Sequence, residues 1–216
     1  DNTFLALERA TEELGIAWTK VTHLQSVADA PALREAHNAM LPKVSAFFAK
    51  IPLNPDLWMR LRTVAESPAG RALTGIHRRF LDETVADFRQ AGADLPPEKR
   101  ARVEALQSEL AQLTQKYSEN VLDATNAWEL VVADESRLAG LPAHAKAAAR
   151  RSAEGKGVAG WRFTLHMPSQ EPFMTYLEDG RLRQEMWTAA SAVGARSPQD
   201  NTPLIARILA LRAEKA

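Results

Sequence analysis

The chain has 216 residues, enough to bury a sizeable core in one domain, and its 27 lysines and arginines balance 27 aspartates and glutamates. This neutrality, together with the absence of a long apolar run, excludes a strong field for nucleic acid and a membrane span, so we expect neither partner. The absence of cysteine excludes disulfides, thiolate metal ligands and a cysteine nucleophile, and it favours a cytoplasmic protein.

Apolar residues recur at helical spacing from the start of the chain, which predicts a mainly α fold with many helices. Asp1 and Asn2 are candidate caps for the first helix. Asp29 is a candidate cap for the next one, and Pro42 predicts a kink within it.

Two dipeptides and a glycine mark further helix boundaries. Asn54-Pro55 and Ser67-Pro68 each combine a capping side chain with a proline suited to the first helical position, so each predicts a helix start. Gly92 follows a helical pattern and predicts its end, because glycine readily adopts the left-handed conformation that closes many helices.

The longest predicted helix covers Pro97 to Ala127, where an apolar stripe steps by three or four residues. Two short runs, 128–132 and 161–165, each start with tryptophan and are rich in strand-forming residues. They predict a small two-stranded antiparallel element. An alanine-rich helix is predicted between the two runs, and further helices follow the second one.

Five histidines are the only candidate nitrogen ligands for a zinc site, since the chain has no cysteine. None belongs to a His-Glu-x-x-His motif, which would place two imidazoles on one helix face beside a glutamate base. We therefore expect this segment to bind no zinc, and we assign it no catalytic and no metal-binding residue. The histidines are His23, His37, His77, His144 and His166.

Two short motifs resemble phosphate-binding sequences. Gly155 to Gly160 reads G-x-G-x-x-G, but a helix is predicted before it and a strand after it, the reverse of a dinucleotide-binding unit. We interpret this run as a helix stop and a turn. The basic cluster of Lys146, Arg150 and Arg151 has no interleaved aromatic residues and predicts a solvated helix face.

The end of the long helix, "KYSENVLDATNAWEL", is unusually polar, although asparagine and aspartate are poor helix formers. A helical wheel places Tyr117, Val121 and Ala124 on the apolar stripe. The opposite, solvated side would carry Glu119, Asp123 and Asn126, with Asn120 at its flank. We expect these polar side chains to bond to nearby irregular backbone, such as the run 128–132. An oxygen-ligand metal site is the weaker alternative, because no calcium-loop motif is present.

The same stretch resembles the N-terminal half of the thimet oligopeptidase and neurolysin family, in its oligopeptidase A branch. The resemblance continues upstream through "VTHLQSV", "LREAHNAMLPKVSAFF" and "FRQAGADLPPEKRAR". It continues downstream through "LAGLP", "GWRFTLHMPSQEPFMTY", "RQEMWTAA" and "DNTPLIARILALRAEKA". Nearly the whole chain is covered in order, which is far more specific than any single short motif.

This resemblance implies that residues 1–216 are the N-terminal helical domain of a zinc endopeptidase that cleaves short peptides inside a channel. The domain would form one wall of that channel, and its substrate-binding residues stay unassigned. The family's zinc-binding motif lies in the C-terminal half, so the resemblance implies zinc for a full-length parent and a C-terminal catalytic domain as the partner of this one.

Two alternatives belong to other classes of protein. A stand-alone helical binding or scaffold module would keep the domain without the enzyme, whereas an independent hydrolase has no motif to support it. The chain starts without methionine, and its last amphipathic helix carries no stop signal. From these features we expect a longer parent protein.

Overall fold

A computed structural model describes residues 2–216 of the chain. Within these residues the regular structure consists of ten α-helices, one 3₁₀ turn at Glu135–Leu138 and one two-stranded sheet, which confirms the predicted mainly α fold. None of the described helices combines the length and the apolar character that a membrane crossing requires. The helices are α1 Phe4–Val27, α2 Pro31–Leu53, α3 Pro55–Glu66, α4 Pro68–Arg71, α5 Gly75–Ala91, α6 Pro97–Ala127, α7 Ala143–Glu154, α8 Met167–Tyr176, α9 Gly180–Ser191 and α10 Thr202–Lys215.

The predicted β element is confirmed. Strands β1 (Glu129–Val132) and β2 (Trp161–Thr164) pair antiparallel, with Leu130 opposite Phe163. Helix α7 lies between them in sequence and packs against β2, as does α8. The alternation of the strands leaves Phe163 buried on one face, where its ring lies 4.6 Å from that of Phe173 in α8.

The chain divides into two compact units, one formed by residues 2–113 with 210–216 and the other by Thr114–Leu209. The core of the first unit contains Trp58, which stacks on Phe88 and donates its indole N–H to Asp94 at 2.8 Å. The core of the second unit contains Phe163, Phe173, Leu177, Leu182 and Met186, each at most 3% exposed. The expectation of one domain over 1–216 stays a prediction.

Three predicted helix boundaries are confirmed. Asn54 accepts hydrogen bonds from the backbone N–H groups of Asp56 and Leu57, both at 3.0 Å, and Ser67 accepts one from Gly70. These bonds satisfy donors that the first turn of a helix cannot pair internally. Gly92 ends α5 with a φ of +106°, in the left-handed region where glycine is favoured.

Two predicted caps are wrong. The residue at the cap of α1 is Thr3, whose side chain makes no capping bond, and not Asn2; the other candidate, Asp1, lies outside the described residues. The cap of α2 is Ala30, because the carboxylate of Asp29 is engaged by Arg34 at 2.6 Å. An ion pair with the first turn has replaced the capping bond. Helix α2 continues through Pro42.

Candidate functional site

The polar end of α6 is anchored by a pair of buried amides. The side chain of Asn120 donates to Oδ1 of Asn201 at 2.8 Å, and Nδ2 of Asn201 donates to the carbonyl of Tyr117 at 3.2 Å. Asn120 is 6% exposed and Asn201 is 1% exposed. Buried amides are costly unless they are hydrogen-bonded, so these two bonds explain why asparagine is tolerated here in a helix.

The helical-wheel assignment of this helix end was therefore partly wrong. Glu119, assigned to the solvated side, is 7% exposed and accepts a hydrogen bond from Gln115, whereas Tyr117, assigned to the apolar stripe, is 38% exposed. For Asn120 and Asn126, the hydrogen bonds are to partners more distant in sequence than the run 128–132. Asn120 bonds to Asn201, and Oδ1 of Asn126 lies 2.9 Å from Nε2 of His166.

Asn201 also fixes the irregular segment that follows α9. Its backbone N–H donates to the carbonyl of Gly194 at 2.7 Å, so residues 194–201 form a loop closed against α6. Gly194 has a φ of +69°, and a Cβ placed on it would lie 2.8 Å from Nδ2 of Asn201. Both the backbone conformation and the close approach therefore require glycine at this position.

The anchored loop forms one part of an open groove of about 610 Å³, a volume typical of ligand-binding sites. Four alanines contribute small apolar side chains to its lining, and hydroxyl and amide groups contribute polar ones. Every residue that lines the groove belongs to the second compact unit. The groove is lined by Ala124, Ala127, Trp128, Leu165, Arg181, Gln184, Glu185, Thr188, Ala189, Ala192, Val193, Gly194, Arg196, Ser197 and Gln199.

The charges in the groove are unequal. Arg181 and Arg196 contribute two guanidinium groups, whereas Glu185 contributes the single carboxylate. Neither guanidinium has an ion pair or a hydrogen bond with any residue in the described part of the chain. By contrast, Arg137 pairs with Asp179 at 2.8 Å and Arg162 pairs with Glu129 at 2.6 Å. The residues that line the groove therefore carry one more positive charge than negative charge.

Helix α9, which carries Arg181 and Glu185, is held by a strong N-terminal cap. The carboxylate of Asp179 accepts hydrogen bonds from the backbone N–H groups of Arg181 and Leu182. The bond from Leu182 is the main cause of a lowered pKa for Asp179, and the Arg137 guanidinium lowers this pKa further. A charged carboxylate is also favoured at the positive end of the helix dipole.

A second cavity of about 520 Å³ lies beside β2, α7 and α8. Its polar groups are largely paired with one another. Arg162 bonds to Glu129 and to the hydroxyl of Ser152, and the backbone N–H of Thr164 donates to Ser169 at 3.0 Å. Because these groups are already satisfied, the groove is the better candidate for binding a ligand.

The five histidines do not converge on a site. His37 is buried and stacks on Trp18 with ring centroids 4.7 Å apart, and His166 faces Asn126. His23, His77 and His144 are exposed on separate helices. Among residues 2–216 no three histidine, aspartate or glutamate side chains are grouped so that they could hold a metal ion. The residues present therefore do not fit a zinc centre.

The two phosphate-like motifs have structural roles. The glycine-rich run lies between the end of α7 and the start of β2, with positive φ at Gly157 and Gly160, which confirms a helix stop and a turn. In the basic cluster, Arg150 and Arg151 are exposed as predicted, and Lys146 is half-buried. Arg150 also lies over the ring of Trp161 at 5.3 Å. This cation–π contact joins α7 to β2.

Sequence reasoning missed the groove altogether. Its residues come from α6, the two strand ends, α9 and the following loop, and the pair that anchors it is separated by 81 positions. The one available signal was the cost of asparagine within α6, which indicated a partner without naming it.

The fold and the groove define a mainly α domain that presents a ligand-sized, positively charged groove and no metal centre within its described residues. Residues 3–100 match the family model described as "Neurolysin/Thimet oligopeptidase, N-terminal domain". This match confirms the resemblance that was stated from the sequence.

The rest of the chain is covered by similarity to individual relatives. The chain is 36% identical over 221 residues to "Oligopeptidase A" of Haemophilus influenzae, an alignment that covers 100% of this chain and 32% of the relative. Two Arabidopsis thaliana relatives align with 97% of the chain. "Probable cytosolic oligopeptidase A" is 30% identical with 31% of its length covered, and "Organellar oligopeptidase A, chloroplastic/mitochondrial" is 31% identical with 27% covered. The chain therefore spans about a third of the length of the curated relatives it matches.

Proposed function

We propose that this chain is the N-terminal, channel-wall part of a longer zinc-dependent endopeptidase that hydrolyses short peptides, and that the chain alone does not cleave them. The observation that carries the proposal is the alignment of the entire chain with oligopeptidase A at 36% identity. The family model for residues 3–100 supports the same assignment, because it describes an N-terminal domain of such enzymes.

In this proposal the chain contributes binding and positioning. Holding a flexible substrate near the reacting groups converts an intermolecular encounter into an intramolecular one, which lowers the entropic part of the barrier. The groove supplies a surface of suitable size, and its amide and hydroxyl groups can both donate to and accept from a peptide backbone. A channel wall would in addition exclude folded proteins, which are too wide to enter.

Zinc belongs in this proposal to the remainder of the parent. The histidines of this chain are dispersed, and no described cluster offers three ligands, so no step of peptide hydrolysis is assigned to residues 2–216. A zinc ion bound elsewhere in the parent would supply Lewis-acid chemistry. The C-terminal part that holds it is the proposed partner of this chain, and the proposed location of the parent is the cytoplasm.

The test is made on the full-length parent. We expect it to hydrolyse short unstructured peptides, to spare folded proteins, to lose activity to a chelator and to regain it with zinc, as followed by mass spectrometry of the products. A parent that degrades folded proteins as readily as short peptides would contradict the channel-wall role. A parent without any peptidase activity would instead support the stand-alone binding module.

A further inference from the structure

The groove has three features that together specify a ligand. It is open to solvent, so an occupant can extend beyond it, and much of its lining is apolar. The lining also includes Gln184, Thr188, Ser197 and Gln199, which can donate hydrogen bonds to a peptide backbone and accept them from it. An extended peptide satisfies all three features better than a compact small molecule, whose surface a ligand pocket normally encloses.

The charge of the groove adds a chemical requirement. Arg181 and Arg196 line the same groove without a partner in residues 2–216, although other arginines of this unit are paired with carboxylates. A guanidinium presents several N–H donors in a planar fork that matches the two oxygens of a carboxylate. Two such groups beside a single acidic residue, Glu185, favour an anionic ligand group.

We propose that this groove binds an extended peptide through carboxylates that pair with Arg181 and with Arg196. The inference rests on the proposed function for the choice of a peptide, and it adds the specificity: peptides with a carboxylate at this point bind more tightly than neutral ones. The carboxylate can come from an acidic side chain or from the C-terminus of the peptide.

The anchored loop explains how the two arginines are held on one groove. Arg181 lies in the first turn of α9, which Asp179 caps, and Arg196 lies in the loop that Asn201 fixes to α6. Both supports are hydrogen-bonded networks and not flexible tails, so the arginine backbones are preorganised for binding. The side chains themselves are exposed and can adjust to the ligand.

The experiment is isothermal titration calorimetry of the 216-residue chain with four short peptides of alanine and leucine. The first carries two central glutamates and has blocked ends, and the second replaces these glutamates by glutamines. The third is the glutamine peptide with a free C-terminal carboxylate, and the fourth carries lysines. We expect at least one carboxylate peptide to bind about tenfold more tightly than the neutral peptide, with an advantage that shrinks at high salt. The first and third peptides distinguish the two sources of the carboxylate.

Charge variants show which residues cause the preference for carboxylate peptides. Arg181→Gln and Arg196→Gln should each lower the affinity for the carboxylate peptide about three- to tenfold and leave the affinity for the neutral peptide unchanged. Glu185→Gln should raise the affinity for the carboxylate peptide about twofold. The matched control is Arg151→Gln, which removes an equally exposed and unpartnered arginine of α7 that does not line the groove.

The indole N–H signals of the tryptophans report the position of binding by NMR. Trp128 lines the groove, whereas Trp187 is 61% exposed on α9 and does not line it. We expect the Trp128 signal to shift on addition of the carboxylate peptide and the Trp187 signal to shift much less. Because the substituted residues are exposed, unchanged circular dichroism melts are expected and would show that the variants are folded.

Equal affinity for neutral and carboxylate peptides would overturn the inference, and so would an equal effect of Arg151→Gln and the groove variants. No binding of any peptide would overturn it too. If the chain shows no carboxylate preference while the parent hydrolyses peptides, only this inference fails. If the chain prefers carboxylate peptides while the parent has no peptidase activity, only the proposed function fails.

Discussion

Asn120 and Asn201 are buried amides joined by one hydrogen bond, in which Asn120 donates to Oδ1 of Asn201. Replacing Asn120 with alanine leaves Oδ1 of Asn201 without its donor in a dry site, so we expect a loss of about 1–3 kcal/mol in the free energy of unfolding. Asn126→Ala is the matched control on the same helix, because Asn126 and its partner His166 are exposed. This control should lower the free energy of unfolding by no more than about 0.5 kcal/mol.

A double-mutant cycle isolates the pair from its surroundings. We expect Asn120→Ala and Asn201→Ala to be non-additive by at least about 0.5 kcal/mol in urea unfolding, since residues in one hydrogen-bonded network are coupled. Additive losses within about 0.3 kcal/mol would mean that the two amides stabilise the fold independently. The pairing could then not be the reason for asparagine in α6.

Alanine substitutions at Gly194 and Gly157 separate two contributions to a loss in the free energy of unfolding. One is steric, and the other comes from the left-handed backbone conformation. Their φ angles are +69° and +70°, but a Cβ at Gly194 meets Asn201, whereas a Cβ at Gly157 meets nothing within 4 Å. We expect Gly157→Ala to lower the free energy of unfolding by about 1–2 kcal/mol, because of the left-handed conformation alone. Gly194→Ala should cost at least about 1 kcal/mol more, as measured by urea unfolding. Equal costs would contradict the close packing of the loop against Asn201.

At the scale of secondary-structure elements, the Asp179 cap of α9 predicts that the stability of the fold depends on pH. The pKa of Asp179 is lowered, first by the backbone N–H of Leu182 and then by Arg137, below its unfolded value of about 3.9. The stabilising contribution of the charged carboxylate is therefore present above about pH 4 and is lost as the pH falls through the folded pKa.

Asp179→Asn keeps a good capping residue but removes the charge, so it tests this contribution directly. The wild-type chain should be more stable than the variant at pH 7, and the difference should shrink on acidification to about pH 3. Chemical denaturation at both pH values measures it. A difference that does not change with pH would show that the carboxylate keeps an ordinary pKa.

The helices differ in how far the sequence predicts them. Helix α6 was predicted from Pro97 to Ala127 because its apolar stripe and flanking proline are local signals, and the caps at Asn54 and Ser67 act on the next few residues. The cap of α2 was mispredicted because Arg34 competes for Asp29. Local patterns thus predict helix boundaries well, except where a capping side chain forms an ion pair instead.

The candidate site required tertiary information throughout. The groove joins residues from position 124 to position 199, and its anchor depends on a contact between positions 120 and 201. Sequence periodicity reports which face of a helix is apolar, but it does not report which distant loop covers that face. For this reason Glu119 was assigned to solvent although it is buried.

At the scale of the whole molecule, recognition and catalysis are separate in the proposed function. The described residues provide a groove with two available guanidinium groups, and they provide no cluster of three metal ligands. The chain also spans about a third of its curated relatives' length. Under the proposed function, this chain positions the peptide and the remainder of a longer parent cleaves the bond.

The most direct test is a mass-spectrometric assay of the purified 216-residue chain, incubated with short unstructured peptides and an excess of zinc, beside the full-length parent under the same conditions. We expect the peptides to remain intact with the 216-residue chain and to be cleaved by the parent. Zinc-dependent cleavage by these 216 residues alone, by an activity that copurifies with the chain at every step, would contradict the proposed function.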